Sequence, residues 1–83
     1  MSPFEAALVL IPKGWRTTHA YGPPWYWCLM RNEPTAYAEG ADDDPIAAIV
    51  RASVRARDID KLSAPEAHRL MTEQMAPWFN PEQ

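Results

Sequence analysis

Residues Trp25-Tyr26-Trp27-Cys28-Leu29-Met30 form a six-residue strand candidate that is apolar or aromatic at every position. Successive side chains of a strand point to opposite sides, so Trp25, Trp27 and Leu29 need cover on one face and Tyr26, Cys28 and Met30 on the other. A strand of this kind belongs in the middle of a sheet, with helices on both faces or with helices on one and a partner on the other.

The chain has 83 residues, which makes a single domain that can bury only about 60–65% of its unfolded surface. Cys28 is the only cysteine, so no internal disulfide supplements the core; inside an apolar run it reads as a small buried hydrophobe in a reducing compartment. Four tryptophans, three tyrosines and two phenylalanines supply large buried area per residue, in a tight core or a core shared with a partner. The net charge of −3 has the wrong sign for a general nucleic-acid binder and is too mild for a nucleic-acid mimic. The apolar run Ala6 to Ile11 is too short to span a bilayer and has no preceding lysine or arginine. A cytoplasmic protein without membrane contact is expected.

Along the chain, Ser2-Pro3-Phe4-Glu5 has the form of a capping box with proline in the first turn, and Phe4, Ala7, Leu8 and Ile11 follow at helical spacing. A short helix over 3–11 is expected, stopped by Pro12 and Gly14. Trp15 to Tyr21 alternates, which places Trp15, Thr17, His19 and Tyr21 on one side of a strand. Gly22-Pro23-Pro24 then turns the chain into the two-faced strand, and Asn32-Glu33-Pro34 turns it again into Thr35 to Glu39. Gly40 to Asp44 reads as an acidic loop. Asp44-Pro45 opens a helix over 45–57 whose buried stripe is Ile46, Ile49, Val50 and Val54, with Arg57 continuing it, and small Ala47, Ala48, Ala52 and Ala56 permit close approach to a sheet. Ser63-Ala64-Pro65-Glu66 repeats the capping logic for a helix over 64–76, and Pro77 leaves Trp78 and Phe79 to dock in a tail over 77–83. The expected fold is α+β, a three-stranded antiparallel meander over 15–39 with helices packed on it in the order αβββαα.

Catalytic chemistry finds little footing. His19, Cys28 and His68 are too scattered for a metal site, and Asp42-Asp43-Asp44 lacks the alternate spacing, the turn glycine and the distal glutamate of a calcium loop. It reads instead as a helix cap and dipole complement. Ser2 and Ser63 are committed to caps, and His68 with Glu66 and Glu73 reads as a solvated or interface residue rather than a general base. No enzyme, no cofactor and no metal are expected. Arg51, Arg55, Arg57 and Lys61 are interleaved with Asp58 and Asp60, which points to ion pairs. The αβββα order is shared with double-stranded RNA-binding domains, but three aspartates stand where those domains carry phosphate-binding lysines.

Pro12-Lys13-Gly14-Trp15 opening a strand, Trp25 and Trp27 ahead of Leu29, the small Ala36 and Ala38, and Asp44-Pro45 leading into Ala47-Ala48-Ile49 resemble the phage ABA sandwich domain, a family of short proteins of tailed bacteriophages and prophages. The resemblance covers roughly Phe4 to Ala56. It implies a helix–sheet–helix sandwich and a phage or prophage origin, and brings no catalytic residues. The tryptophan-rich middle strand and the additional helix after Ser63 depart from the family pattern.

Small size, surplus aromatics and absent catalytic groupings together point to a non-enzymatic accessory protein that binds a host or phage protein, one concrete form being an inhibitor of a bacterial defence system. The candidate binding residues are Trp15, Arg16, Tyr21, Trp25, Trp78 and Phe79. The alternatives are a sponge for a nucleotide, with Lys13 and Arg16 near a phosphate and Trp15, Tyr21 and Trp25 around the ring, or a structural homo-oligomer.

Overall fold

The computed structural model describes residues 1–75. Its elements are α1 (Pro3–Val9), β1 (Trp15–Tyr21), β2 (Trp25–Arg31), β3 (Ala36–Asp42), α2 (Pro45–Asp60) and α3 (Ala64–Met75). The strands form one antiparallel sheet in the order β1-β2-β3, so the fold is α+β with the two-faced strand in the centre. None of the described helices is long and apolar enough to cross a membrane.

Each helix starts where its sequence supplies acceptors for free backbone amides. The Ser2 hydroxyl accepts from the Glu5 N–H at 3.1 Å while the Glu5 carboxylate accepts from the Ser2 N–H at 3.2 Å. Asp44 accepts from the amides of Ile46 and Ala47, both at 3.3 Å. Before α3, Glu66 accepts from the Ser63 N–H at 3.1 Å and from its hydroxyl at 2.7 Å.

Packing is set by how closely α2 approaches β3. A Cβ placed on Gly40 would lie 2.2 Å from the Ala48 carbonyl oxygen and 2.5 Å from the Ala52 nitrogen, so the helix backbone rests directly on the strand. That distance selects alanines. Ala48, Ala52 and Ala56 are fully buried against Ala36, Ala38 and Leu29, while Ile49 and Ile59 fill the wider gaps. Three sequence expectations change for this reason. Gly40 lies inside β3, which runs on to Asp42, instead of opening a loop. The buried stripe of α2 is carried by alanines with Ile49, Ser53 and Ile59, Ile46 and Val50 pack half-buried beside it, and Val54, 50% exposed, and Arg57 are turned out. The helix also continues past 57 to Asp60, because Ile59 extends the stripe by one turn.

The first helix lies beside α2 on the same face of the sheet. The Phe4 ring meets Trp27 edge-on with centroids 6.1 Å apart, Ala7 is buried in the core, and the Arg57 guanidinium donates to the Leu10 carbonyl at 3.2 Å. The helix closes at Val9 rather than reaching Ile11, with the Leu10 N–H bonded back to the Ala7 carbonyl. Instead of covering the second face, α3 runs along the outer edge of β3, where the Met71 sulfur accepts the Tyr37 N–H at 3.4 Å. Among the described residues, α1 and α2 share one face of the sheet.

Candidate functional site

A bulge in β1 decides which residues share a face. Thr17 pairs with Leu29 and His19 with Cys28, which leaves Thr18 as an extra residue and reverses the alternation around it. The Thr18 hydroxyl donates to the Cys28 carbonyl at 3.3 Å, stitching the irregular ladder. Consequently Trp15 and Thr17 point toward α2, whereas His19 and Tyr21 point away from it. The expectation that Trp15, Thr17, His19 and Tyr21 line one side is therefore corrected: period-two alternation assumes an unbroken ladder, and one inserted residue flips everything beyond it.

The candidate binding residues are separated by the same device. Trp15 is a core residue, 7% exposed, whose indole N–H donates to both carboxylate oxygens of Asp60 at 3.1 and 3.0 Å. Trp25 packs half-buried on the same side of the sheet. Only Arg16 and Tyr21 stand on the other side, both exposed. Trp78 and Phe79 lie outside the described residues. The grouping of Trp15, Tyr21 and Trp25 around one planar ligand is thus not formed, because the sheet itself lies between the tryptophans and the tyrosine.

On the face away from α2, strand register arranges the side chains in three rows across β1, β2 and β3: Arg16–Met30–Tyr37, His19–Cys28–Glu39 and Tyr21–Tyr26–Ala41. His19, Tyr21 and Tyr26 have nearly parallel rings, with interplanar angles of 7°, 18° and 26° and centroid separations of 6.2, 5.9 and 5.2 Å. Three parallel rings at such equal separations cannot form one column, whose outer members would stand about twice as far apart as neighbours do. They make a lateral aromatic patch. Burial, and then the adjacent Glu39 carboxylate, hold the Tyr26 phenol well above its ordinary value. Cys28 lies low between its neighbours and is buried. His19 shares the side of Tyr21, as alternation beyond the bulge requires, and Tyr26 joins them because it pairs with Tyr21 across the hairpin; neither is among the binding residues the sequence points to.

A second feature lies at the edge of β3. Antiparallel pairing turns the backbone groups of alternate residues toward the neighbouring strand and those between them outward. The Tyr37 N–H points outward to Met71, so the backbone groups of Glu39 and Ala41 point outward too. Beside them runs a shallow groove of about 510 Å³, bounded by Glu39, Gly40 and Ala41 on the strand and by Val50, Arg51, Val54, Arg55 and Asp58 on α2. The helical residues come from successive turns of one flank of α2. Patterning places Val54 in the core, whereas it walls this groove beside Val50, which is half-buried against the core.

The charges are used differently from the expected pairing along α2. Arg51 reaches Asp42 on β3 at 3.1 Å, and Arg31 on β2 reaches Asp60 at 2.5 Å. Asp58 makes no ion pair among the described residues. Asp42 also accepts from the Asp44 N–H at 3.0 Å, and this bond, together with Arg51, lowers its pKa from the ordinary value. Within the described residues no three His, Cys, Asp or Glu side chains gather as metal ligands. Comparison with protein families, with curated proteins and with solved structures finds no match to this chain.

Proposed function

We propose that this chain is a non-catalytic accessory protein that acts by binding another protein, and that it holds an extended segment of that protein as an added strand on β3. The observation that carries this reading is the coincidence of a strand edge left unpaired by the described residues with a groove. Outward backbone groups of Glu39 and Ala41 lie beside a trough walled by Val50 and Val54. Strand addition draws its affinity from main-chain hydrogen bonds and its selectivity from alternate side chains entering such a trough. The wall favours a segment with an aliphatic residue for Val54 flanked by polar residues, since Arg51 is already paired with Asp42 and Arg55 shares the wall with Glu39 and Asp58. The resemblance of residues 4–56 to phage ABA sandwich domains supports a phage or prophage setting in the host cytoplasm, and a component of a bacterial defence system as the target.

The test compares tagged variants recovered from phage-bearing bacteria. Ala41→Pro removes an outward donor at a position where an edge strand tolerates proline, and Val54→Glu charges the trough wall. A partner held by the unaltered chain and by Tyr21→Ala, but lost from Ala41→Pro and Val54→Glu, supports the reading. A partner retained by both groove variants overturns it.

A further inference from the structure

We infer that the face of the sheet turned away from α2 is covered by a second copy of this chain, related by a two-fold axis running parallel to β2. The inference concerns the sheet face that carries the Glu39 and Ala41 side chains, which meets the groove along the β3 edge, and does not depend on the strand-addition reading.

Two-fold contacts require a surface complementary to itself, so that residue i meets j and j meets i. An axis parallel to β2 maps each row onto its own reverse. His19–Cys28–Glu39 then lies against Glu39–Cys28–His19 of the second copy, and each end of the row joins an imidazole to a carboxylate. The His19 Nδ1 is within 3.3 Å of the Thr18 hydroxyl, which leaves Nε2 for that contact. Tyr21–Tyr26–Ala41 lies against Ala41–Tyr26–Tyr21, so each large exposed tyrosine meets an alanine and the two Tyr26 rings meet on the axis. In the remaining row Arg16 lies over Tyr37, a guanidinium against an aromatic ring. Charge, size and ring chemistry all match in one orientation.

The other in-plane axis, perpendicular to β2, does not match. It sets Glu39 against Glu39 and His19 against His19, and places the Tyr26 ring over Met30 without relieving the carboxylate–carboxylate contact. Like charges across an interface oppose association. Register alone therefore selects the parallel axis, which also keeps the strands of the two sheets aligned, as in sandwiches.

Strands about 4.8 Å apart with a rise of about 3.4 Å per residue give this three-stranded, seven-residue face a footprint of about 14 by 24 Å. That is below the patch of a standard-size interface, so the dimer dissociates on dilution.

The experiment is sedimentation equilibrium of the full chain from about 1 to about 500 µM, a range that brackets a weak specific dimer. A concentration-dependent dimer is expected. His19→Glu sets carboxylate against Glu39 at two symmetric places and weakens dimerisation at least about tenfold. Combining it with Glu39→Lys restores opposite charges and recovers association to within about threefold. A second pair covers the case in which the charge variants fail to fold: Ala41→Tyr disperses the dimer by crowding Tyr21, and adding Tyr21→Ala restores it. A monomer at every concentration overturns the inference. A dimer indifferent to His19→Glu and Ala41→Tyr overturns it, as does one dispersed by Val54→Glu alone, which would place the contact at the β3 edge. A monomer that becomes a dimer on Trp78→Ala with Phe79→Ala assigns the face to this chain's own tail and also overturns it.

Discussion

Asp60, the last residue of α2, accepts the indole N–H of Trp15, the first residue of β1, with both carboxylate oxygens at 3.1 and 3.0 Å. The same carboxylate holds the Arg31 guanidinium, which lies 5.3 Å from the centre of the Trp15 ring. One side chain thus ties the end of the long helix to two strands. Asp60→Ala leaves a buried indole N–H without its acceptor and takes the carboxylate from a guanidinium that is 15% exposed and keeps only the Pro34 carbonyl, and is predicted to cost about 1–3 kcal/mol, the usual penalty for such groups. Urea denaturation followed by tryptophan fluorescence measures it.

Gly40→Ala is predicted to be more damaging. The added methyl meets the backbone of α2 at Ala48 and Ala52 rather than a flexible side chain, and neither element can give way without disturbing the other. Overpacking against fixed backbone belongs at the upper end of the usual range, about 3 kcal/mol. Thermal unfolding of the variant should show a loss of that order, whereas Gly14→Ala, where no atom lies close and only the positive φ of 93° is violated, should cost less.

Ser53 is buried in α2 and its hydroxyl has no hydrogen-bond partner. Ser53→Ala removes that unsatisfied group, improves helix propensity and leaves a cavity no larger than one oxygen atom. The variant should be more stable by about 1 kcal/mol, and a lowered melting temperature would show that the hydroxyl has a role in the fold.

The acid limb of stability should be governed by Asp42 and Glu66. The Asp44 N–H and Arg51 lower the pKa of Asp42 from 3.8, and Ser63, through its hydroxyl and then its N–H, lowers that of Glu66 from 4.5. A carboxylate whose pKa is depressed on folding contributes stability that is present above its unfolded value and lost as the pH falls through its folded value. Stability should therefore decline below about pH 4.5, and Asp42→Asn with Glu66→Gln should flatten that decline. An unchanged acid limb in the double variant would show that these caps do not set it.

The contrast between the legible and the hidden parts of this fold has a physical origin. Helix starts at Ser2, Asp44 and Ser63 were readable because a cap is a local arrangement of a few consecutive residues. The central place of β2 was readable because both its faces are apolar. The bulge at Thr18 was not, since it is a property of the pairing between β1 and β2 rather than of either strand. The turn of α2 about its axis was also hidden: Val50 and Val54 are larger than Ala48 and Ala52, and hydrophobicity alone ranks them as core. Close approach at Gly40 inverts that ranking, and with it Val54 passes from core to groove wall. The β3 groove arises where a tertiary constraint overrides a local pattern, and the bulge brings Arg16 onto the same face as the aromatic patch.

Strand addition requires the β3 edge to be open in the free protein and closed by a partner's strand. Amide hydrogen exchange of Glu39 and Ala41, read residue by residue by NMR, tests this most directly. Both amides are predicted to exchange far faster than those of Ala38 and Gly40 in the free chain and to become protected once the partner is bound. Strong protection of Glu39 and Ala41 in the free chain, or fast exchange that persists in the complex, contradicts it.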